Sequence, residues 1–233
     1  MPVGENELRY QAKEDDPYSS HSVILRFAGE GGGRRLLDVG SAQGVLAQRF
    51  RERGFEVTCI EGDRALAALG RDKCDAMIVA DLDQGLPELK GRFDVIVCGD
   101  ILEHLKRPSA LLAGLSLYLK ATGWTILSVP NVAHAFVRLN LLFGRFEYME
   151  QGILDRTHLR FFTRQSFCRF LEEAGWTIEQ MTSTPVPLLL ILPAHRERIW
   201  LRAVHAINAG MARVWPTMFG YQFVALTRPR GSA

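Results

Sequence analysis

Short apolar runs alternate with amphipathic segments through the first 130 residues. Five runs have the length and composition of buried strands, at 35–39, 55–60, 76–80, 93–98 and 124–129. Helical patterns lie between them, at 43–53, 64–69 and 108–119. Strands that alternate with helices form βαβ units, whose right-handed crossovers produce a parallel sheet with both faces covered. The pattern predicts an α/β fold with a ligand crevice at the carboxyl ends of the strands.

The alternation is interrupted twice after Val129. Residues 130–162 are too long for an ordinary connection, and we expect them to form a lid over a substrate. A helix and a sixth strand follow at 164–174 and 176–182, and a second, helical insertion at 183–216 precedes a last strand at about 221–227. The expected architecture is a doubly wound, mostly parallel seven-stranded sheet with helices on both faces and insertions after strands 5 and 6.

One domain is expected to span residues 1–233. Its first part, residues 1–33, has turn and cap signals and one candidate helix at 21–28, so we expect it to form a helical cover. The run GEGGG at 29–33 interrupts any helix before the first strand begins.

Composition excludes several classes of protein. The chain has 28 Lys+Arg, 26 Asp+Glu and 47% apolar residues, which is typical of a globular protein rather than a disordered one. A net charge of +2 argues against a protein built mainly to hold a nucleic-acid backbone. Residues 130–233 nevertheless carry 12 arginines against 7 acidic side chains. Either this half faces an anionic substrate, or the arginines form an ordinary solvated surface.

The cysteines and the apolar runs indicate in which cellular compartment the protein is expected. The four cysteines form no C-x-x-C pair, which argues against a structural zinc site and indicates reduced thiols of the cytoplasm. The polar, acidic N-terminus does not resemble a signal peptide, and the apolar run 187–193 is far shorter than the ~20 residues needed to span a bilayer. For the arginine-bearing helix that follows, three roles stay open: a cover for the acceptor pocket, a homodimer contact, or membrane-surface contact through 187–214.

Four carboxylates lie at the ends of four predicted strands. The first strand ends in Asp38-Val-Gly40-Ser-Ala-Gln-Gly44, whose glycines allow a ligand close to the backbone. Glu61, Asp81 and Asp100 follow the next three strands. Such a rim favours a ligand with hydroxyls, amines and positive charge, whereas it would repel a pyrophosphate. An NAD-dependent oxidoreductase is therefore disfavoured, as it is by the poor fit to G-x-G-x-x-G.

An ordered set of motifs resembles the class I S-adenosylmethionine-dependent methyltransferases: LLDVGSAQG (36–44), VTCIEGD (57–63), VADLDQGLP (79–87), FDVIVCGDILEHL (93–105) and SVPNV (128–132). The resemblance implies a Rossmann-like methyltransferase fold and S-adenosylmethionine as cofactor, with S-adenosylhomocysteine as product. It implies that Asp38, Gly40, Ser41, Ala42 and Gly44 hold the methionine end, although the family usually has Gly where Ala42 stands. The same resemblance implies that Glu61, Gly62 and Asp63 bind the ribose. It also implies that Asp81 and Leu82 flank the adenine, and that Gly99, Asp100 and Ile101 lie near the sulfonium.

Two histidines are candidate general bases for a hydroxyl acceptor. His158 is the first choice and His104 the second, because a histidine with a pKa near ~6.5 can accept a proton at neutral pH. His134 is a third candidate. The segment D-x-T-H-L-R around His158 is similar to segments of methyltransferases from glycan and natural-product pathways, which implies a small, sugar-bearing or anionic acceptor.

A metal-assisted alternative rests on a second resemblance. Asp100, Glu103, His104 and His158 are similar to the metal ligands of small-RNA 2′-O-methyltransferases, which implies a divalent ion over a diol or the end of an RNA. Because the chain shows no separate RNA-binding region, we expect a small-molecule acceptor rather than nucleic acid. A catalytically inactive module that binds the cofactor stays open as a further alternative.

Overall fold

A seven-stranded sheet forms the centre of the molecule. The structure is a computed structural model that describes residues 16–231. The strand order is β3-β2-β1-β4-β5-β7-β6, with β7 antiparallel to both neighbours and the other pairs parallel. In chain order the strands are β1 (Arg35–Val39), β2 (Glu56–Glu61), β3 (Ala76–Val79), β4 (Phe93–Gly99), β5 (Leu119–Pro130), β6 (Trp176–Thr184) and β7 (Gln222–Pro229). The predicted fold class is confirmed.

Helices cover both faces of this sheet. We number them α1 (Ser20–Ala28), α2 (Val45–Glu52), α3 (Arg64–Gly70), α4 (Pro108–Tyr118), α5 (Ala135–Leu142), α6 (Arg164–Glu173), α7 (Leu188–Ile191), α8 (Ile199–Val214) and α9 (Pro216–Phe219). Short 3₁₀ turns lie at Arg71–Lys73, Leu102–His104 and Pro193–His195. One apolar core contains α4 and α6, and a second contains α1 and α2.

Element boundaries differ from the sequence pattern mainly at β5. The pattern places this strand at 124–129, but β5 begins at Leu119, directly after α4. Leu119 pairs with Phe93, and the ion pair of 2.8 Å between Lys120 and Asp94 holds the extension beside β4. The strand therefore extends by five residues, 119–123, beyond the apolar run that the pattern marks, and one of the five, Lys120, is charged.

The segment between β5 and α6 has a small core of its own. Val137, Ile153 and Leu154 are buried there, and Asn131 forms an isolated bridge with Phe162 that brings both ends of the segment together. Asn131 is fully buried, and its amide donates a 2.7 Å hydrogen bond to the carbonyl of Gly220. The segment is thus fastened to the chain that enters β7.

The N-terminal and second inserted segments meet on the same side of the molecule. α1 packs on β4, β5 and β7, and residues 1–15 of the expected cover lie outside the described residues. The Asp16 carboxylate lies 2.9 Å from Nε2 of His205 in α8, and both side chains are buried. Among residues 16–231, no helix has the length and apolar character that crossing a membrane requires.

Candidate active site

The loop between β1 and α2 needs glycine at two positions. Gly40 and Gly44 have φ angles of 75° and 73°, in the left-handed region that glycine adopts without strain. A Cβ atom on Gly40 would lie 2.9 Å from Cδ1 of Ile101, and one on Gly44 would lie 3.1 Å from Cα of Gly70. Side chains are therefore excluded at positions 40 and 44 of this loop.

Asp38 places a buried carboxyl group beside this loop. Burial, with the nearby Glu61 carboxylate, raises the pKa of Asp38 from 3.8 to about 7. Within residues 16–231, neither Oδ2 of Asp38 nor Oγ of Ser41 has a hydrogen-bond partner. Such groups are costly to bury unless a ligand satisfies them, so both are suited to a polar group bound over the loop.

Glu61 closes the loop from the end of β2. One of its oxygens accepts a 2.7 Å hydrogen bond from the backbone N–H of Ala42, and the other accepts a 2.9 Å bond from that of Asp63. Each oxygen keeps a further lone pair that can accept from a hydroxyl. The bond to Ala42 holds a residue with a φ of 47°, which is uncommon for alanine.

Residues expected around the ribose and adenine have local roles as well. Asp63 caps α3 by accepting from the N–H groups of Ala65 and Leu66. Asp81 accepts from the backbone of Asp83 and the side chain of Gln84, which organises the turn after β3. Leu82 and Ile101 pack partly buried against the core, and Gly62 lies beside the carbonyl of Ala80. With these local contacts, all five residues still lie near the edge of the sheet where its parallel strands end.

Two cavities meet at Asp100. The smaller, of about 250 Å³, is lined by the loop residues Asp38, Gly40, Ser41 and Ala42 together with Gly99 and Asp100. The larger, of about 630 Å³, has Asp100, Glu103, His104 and His158 in its wall. Asp100 lies in the lining of both.

The Asp100 side chain is held by two strands. Its Oδ1 accepts a 2.6 Å hydrogen bond from Ser128 at β5, and its Oδ2 accepts a 2.7 Å bond from the amide of Gln222 in β7. The residue has a φ of 54°, so the chain turns sharply after β4. Such strain is typical of functional turns, where neighbouring contacts hold the conformation.

His104 and His158 form a pair in the wall of the larger cavity. Their ring centroids lie 4.8 Å apart, edge to face. Nδ1 of His158 lies 3.1 Å from the carbonyl oxygen of Ile153 and must donate to it, because a carbonyl only accepts. Its Nε2 is therefore the nitrogen that can take a proton. Burial, with a contribution from His104, lowers the pKa of His158 and favours this neutral form.

A relay from Asp155 fixes the tautomer of His104. The Thr157 hydroxyl donates a 2.7 Å hydrogen bond to the Asp155 carboxylate, which can only accept. Nδ1 of His104 lies 3.1 Å from the same hydroxyl, so it donates to that oxygen. Although burial opposes the effect, the bonds from Thr157 lower the pKa of Asp155 and keep it ionised. In the neutral ring of His104, Nε2 is therefore the nitrogen without a proton.

Glu103 completes a group of possible metal ligands. Its side chain is 1% exposed, and within the described part of the chain neither carboxylate oxygen has a hydrogen-bond partner. Burial, with the nearby Asp100, raises the pKa of Glu103 well above its usual value. One ligand atom each from Glu103, His104 and His158 lie within 4.8 Å of one another. Asp100, the fourth expected ligand, lies outside this group and has both oxygens bonded to Ser128 and Gln222.

His134 is poorly placed to act as a base. Its Nδ1 accepts a 3.1 Å hydrogen bond from the N–H of Phe136 and caps α5. In the neutral ring Nε2 therefore carries the proton. Burial lowers the pKa of His134, which favours this neutral ring over the charged one. His134 lies in the cavity wall as a cap and potential donor.

The alternative in which the arginines of residues 130–233 face an anionic substrate is not supported by the lining of the larger cavity. Neither Arg nor Lys lines the larger cavity in residues 16–231, whereas three acidic residues do. Arg138 and Arg160 donate to backbone carbonyls, and Arg156 pairs with Glu150 at 2.7 Å. Local hydrogen bonds and an ion pair therefore involve these three guanidinium groups.

The aromatic residues of the same segment are divided between two environments. Phe136 and Met149 line the larger cavity. Phe146 and Tyr148 instead pack on Phe161, and Phe143 is 74% exposed. The segment therefore contributes a partly apolar wall to the larger cavity.

Comparison with known proteins identifies the family. A model of a methyltransferase domain matches residues 10–181, which contain both the β1–α2 loop and the two histidines. The chain belongs to the class I S-adenosylmethionine-dependent methyltransferases. This membership confirms the predicted enzyme class and cofactor, and it sets aside the NAD-dependent alternative.

Curated relatives of this methyltransferase are similar over part of their length. The chain is 30% identical over 156 residues to the ubiquinone biosynthesis O-methyltransferase of Pseudomonas aeruginosa, which covers 63% of each protein. It is 25% identical over 165 residues to the protein of the same name from Aeromonas salmonicida, covering 64% of this chain and 66% of the relative. The match thus spans less than two thirds of these relatives.

Solved structures share the fold at low identity. A methyltransferase from Thermotoga maritima aligns with a TM-score of 0.65 and 14% identity, covering 98% of this chain and 96% of that one. The magnesium protoporphyrin IX methyltransferase of Synechocystis, crystallised with S-adenosylhomocysteine, has a TM-score of 0.60 and 15% identity, covering 99% and 89%.

The described residues fit the cofactor of the family. The glycines at 40 and 44 leave the loop open, and the unsatisfied oxygens of Asp38 and Ser41 are suited to the methionine ammonium. The lone pairs of Glu61 are suited to a ribose diol. Sequence analysis missed Gln222 and the Asp155–Thr157 relay. Gln222 follows Asp100 by 122 residues and carries no motif, whereas the spacing of Asp155, Thr157 and His158 in one turn offered a local signal.

Proposed function

We propose that this methyltransferase transfers a methyl group to a hydroxyl of a small, uncharged acceptor in the larger cavity, with His158 as general base. The observation that carries the proposal is the 3.1 Å contact between Nδ1 of His158 and the Ile153 carbonyl, which leaves Nε2 free to accept a proton at the cavity wall. The names of the relatives at 25–30% identity support transfer to oxygen only coarsely.

The acceptor chemistry follows from the cavity wall. Asp100 and Asp155 disfavour an anionic acceptor, and they equally disfavour a nucleic-acid phosphate backbone. Phe136, Met149 and Leu190 favour an apolar ring or chain beside the reacting hydroxyl. We therefore retain the small, sugar-bearing acceptor of the sequence analysis, set its anionic alternative aside, and add an aromatic acceptor as a second possibility. The cytoplasm remains the proposed compartment.

Catalysis in this proposal is mainly alignment and proton removal. Bound S-adenosylmethionine supplies a methyl group that sulfur has already activated. The wall of the larger cavity positions the acceptor oxygen, and such alignment contributes ~7–11 kcal/mol to lowering a barrier. Nε2 of His158 takes the hydroxyl proton as the new oxygen–carbon bond forms. The Ile153 carbonyl holds the ring throughout, and the nearby carboxyl groups stabilise the resulting imidazolium.

Separate His158→Gln and His104→Gln variants test this assignment. Turnover would be measured by a screen of hydroxyl acceptors with tritiated cofactor, and affinity for S-adenosylhomocysteine by calorimetry. We expect His158→Gln to lower turnover ~10²–10⁴-fold with unchanged cofactor affinity. His195→Gln, at an exposed histidine outside the cavity wall, is the matched control. Unchanged turnover in both site variants would overturn the base assignment, and absence of turnover with every acceptor would favour the inactive binding module.

A second candidate is metal-assisted transfer to a diol. The buried, unpartnered carboxylate of Glu103 favours it, because a divalent ion would satisfy a group that is costly to bury alone. Glu103 with Nε2 of His104 and His158 forms a mixed oxygen and nitrogen donor set that is suited to Mn²⁺, Fe²⁺ or Zn²⁺. The ion would lower the pKa of a bound hydroxyl and orient its neighbour.

Thermal unfolding with each metal separates the two candidates. If the site holds a metal, MnCl₂ or ZnCl₂ raises the melting temperature of the wild type but not of Glu103→Gln, and chelation abolishes turnover. Glu150→Gln, at an exposed glutamate paired with Arg156, is the matched control. Equal shifts in all three proteins, with turnover that survives chelation, would exclude a metal at this site and leave the base mechanism.

A further inference from the structure

Helix α8 carries two apolar faces, of which the protein buries only one. Leu201, His205 and Ala212 are at most 2% exposed and pack towards the molecule. The other face presents an exposed stripe, which we define as Trp200, Val204, Ile207, Met211 and Val214. These residues follow one another at intervals of four and three, so they line one side of the helix.

The side chains of the stripe are largely exposed to solvent. Val214 is 86% exposed, Ile207 64% and Trp200 53%. The Asp16–His205 contact of 2.9 Å fastens the opposite face to the N-terminal segment, so α8 cannot rotate to bury the stripe without breaking it. Contiguous exposed apolar surface of this kind indicates a binding surface.

Arginines lie on the same exposed side of α8 as this stripe, at its far edge. Residues 185–221 hold Arg196, Arg198, Arg202 and Arg213 against a single acidic residue, Glu197. At 100° per residue, Arg202 and Arg213 lie about 140–160° from the middle of the stripe, at the far edge of the exposed side of α8 and beyond Ala203, Ala206 and Gly210. Arg202 also pairs with Glu197 at 2.9 Å. Trp200 and Trp215, 53% and 54% exposed, lie at the two ends of the helix, and tryptophan favours the interface between water and lipid. An apolar stripe, arginines on the same exposed side and terminal tryptophans are together the pattern of a helix lying on an anionic bilayer.

We propose that α8 docks this methyltransferase on the surface of an anionic membrane, with the exposed stripe in the headgroup region and the arginines on lipid phosphates. Charge favours this occupant over a second copy of the chain, because residues 185–221 carry four arginines against one acidic residue and a symmetric contact would bring two positively charged surfaces together. The helix of 16 residues lies on the bilayer and does not cross it.

The same surface continues to the mouth of the larger cavity. α7 packs against α8, and its last residue, Ile191, lines the cavity while 57% exposed. Phe136 lines the cavity too and is 49% exposed. Docking would therefore bring an apolar opening next to the bilayer. In combination with the proposed function, on which this step rests, the acceptor would be an amphiphile whose apolar chain stays in the membrane.

Vesicle sedimentation of the full chain tests the docking without any turnover. Vesicles of phosphatidylcholine with ~30% phosphatidylglycerol are compared with phosphatidylcholine alone. We expect binding to the anionic vesicles that weakens with salt, and a loss of about tenfold or more in the double variant Ile207→Asn with Val214→Asn. Arg202→Gln and Arg213→Gln should each weaken binding about fivefold. Leu69→Asn with Leu117→Asn, at residues 50% and 70% exposed elsewhere, is the matched control and should bind as the wild type does.

Three results would overturn the docking. They are an absence of binding to anionic vesicles, equal loss in the stripe and control variants, and a dimer in sedimentation velocity that the stripe variant dissociates. The last would assign the stripe to a second copy. Calorimetry with S-adenosylhomocysteine checks that each variant is folded. If the protein binds anionic vesicles but methylates none of the hydroxyl acceptors, that result contradicts the proposed function and leaves the docking proposal standing.

Discussion

Glu61 and Ala42 are joined by a 2.7 Å hydrogen bond from the alanine N–H to the glutamate carboxylate. The bond connects the end of β2 with the loop that follows β1, across 19 residues of sequence. It holds Ala42 in a left-handed conformation at the position where the family usually has glycine. The carboxylate proposed for the ribose therefore also shapes the loop proposed for the methionine end.

Glu61→Gln should weaken affinity for S-adenosylhomocysteine about 10–100-fold, because hydrogen bonds to a charged acceptor contribute ~1.5–3 kcal/mol. Isothermal titration calorimetry measures the change. Glu56→Gln, at the exposed start of the same strand, is the matched control and should bind normally. Equal affinity in the two variants would remove Glu61 from the cofactor site.

Ala42→Gly should raise the free energy of unfolding by ~0.5 kcal/mol. Removing the strain of a left-handed alanine stabilises the folded state by ~1–2 kcal/mol. The greater conformational freedom of glycine stabilises the unfolded chain by ~0.5–1 kcal/mol, which offsets part of that gain. Ala110→Gly, on the exposed face of α4, should instead lower stability by ~0.5–1 kcal/mol. Denaturant unfolding compares the two, and destabilisation by Ala42→Gly would show that the loop is not strained there.

Cofactor affinity should rise with pH through about 7. Burial keeps Asp38 protonated below that value, since its pKa is raised to about 7, and only the ionised form attracts the methionine ammonium. We expect roughly tenfold weaker binding of S-adenosylhomocysteine at pH 6 than at pH 8, with proton release near neutrality, by calorimetry in buffers of different ionisation enthalpy. Asp38→Asn should bind weakly at both values. A flat profile in the wild type would contradict the role of Asp38.

Asp38 should also make the stability of the cofactor-free protein depend on pH in the opposite direction. Its folded pKa of about 7 lies above the usual 3.8, so the folded state holds the proton more tightly. The stabilisation from this group is complete below 3.8 and is lost as the pH rises to about 7. Denaturant unfolding between pH 5 and 8 should show a decline that Asp38→Asn lacks, and equal slopes would contradict it.

Asn131→Ala should destabilise the protein by ~2–3 kcal/mol, because the buried side chain leaves the Gly220 carbonyl and the Ala133 N–H without their partner. In a chain of this size that loss lowers the melting temperature by ~4–12 °C. Asn140→Ala, which removes a local bond on α5, is the control and should change it far less. Equal shifts would show that Asn131 does not fasten the segment to the chain before β7.

Sequence periodicity predicted the sheet because buried parallel strands are short, apolar and regularly spaced. The carboxylates after β1 to β4 could be placed on one rim for the same reason, since parallel strands end at one edge. Asp38 and Glu61 lie as the pattern required, at the ends of β1 and β2. The order of strands along the sequence was therefore sufficient to predict where these two carboxylates lie.

The acceptor half could not be predicted as well, because its contacts join distant segments. Gln222 meets Asp100 only after β7 has inserted between β5 and β6, and His205 meets Asp16 across 189 residues. Arg160 is one of the twelve arginines of residues 130–233, and its guanidinium donates to the carbonyl of Leu105. A charge pattern records which residues are basic, whereas the packing decides what they contact.

The central claim is that the cofactor and acceptor cavities meet at Asp100. A crystal structure of the complex with S-adenosylhomocysteine tests it most directly. The account predicts the methionine end over the 40–44 loop, the ribose on Glu61, and the sulfur beside Asp100, open to the cavity that His158 lines. A sulfur closed off from that cavity, or a ligand bound away from Glu61 and Asp38, would contradict it.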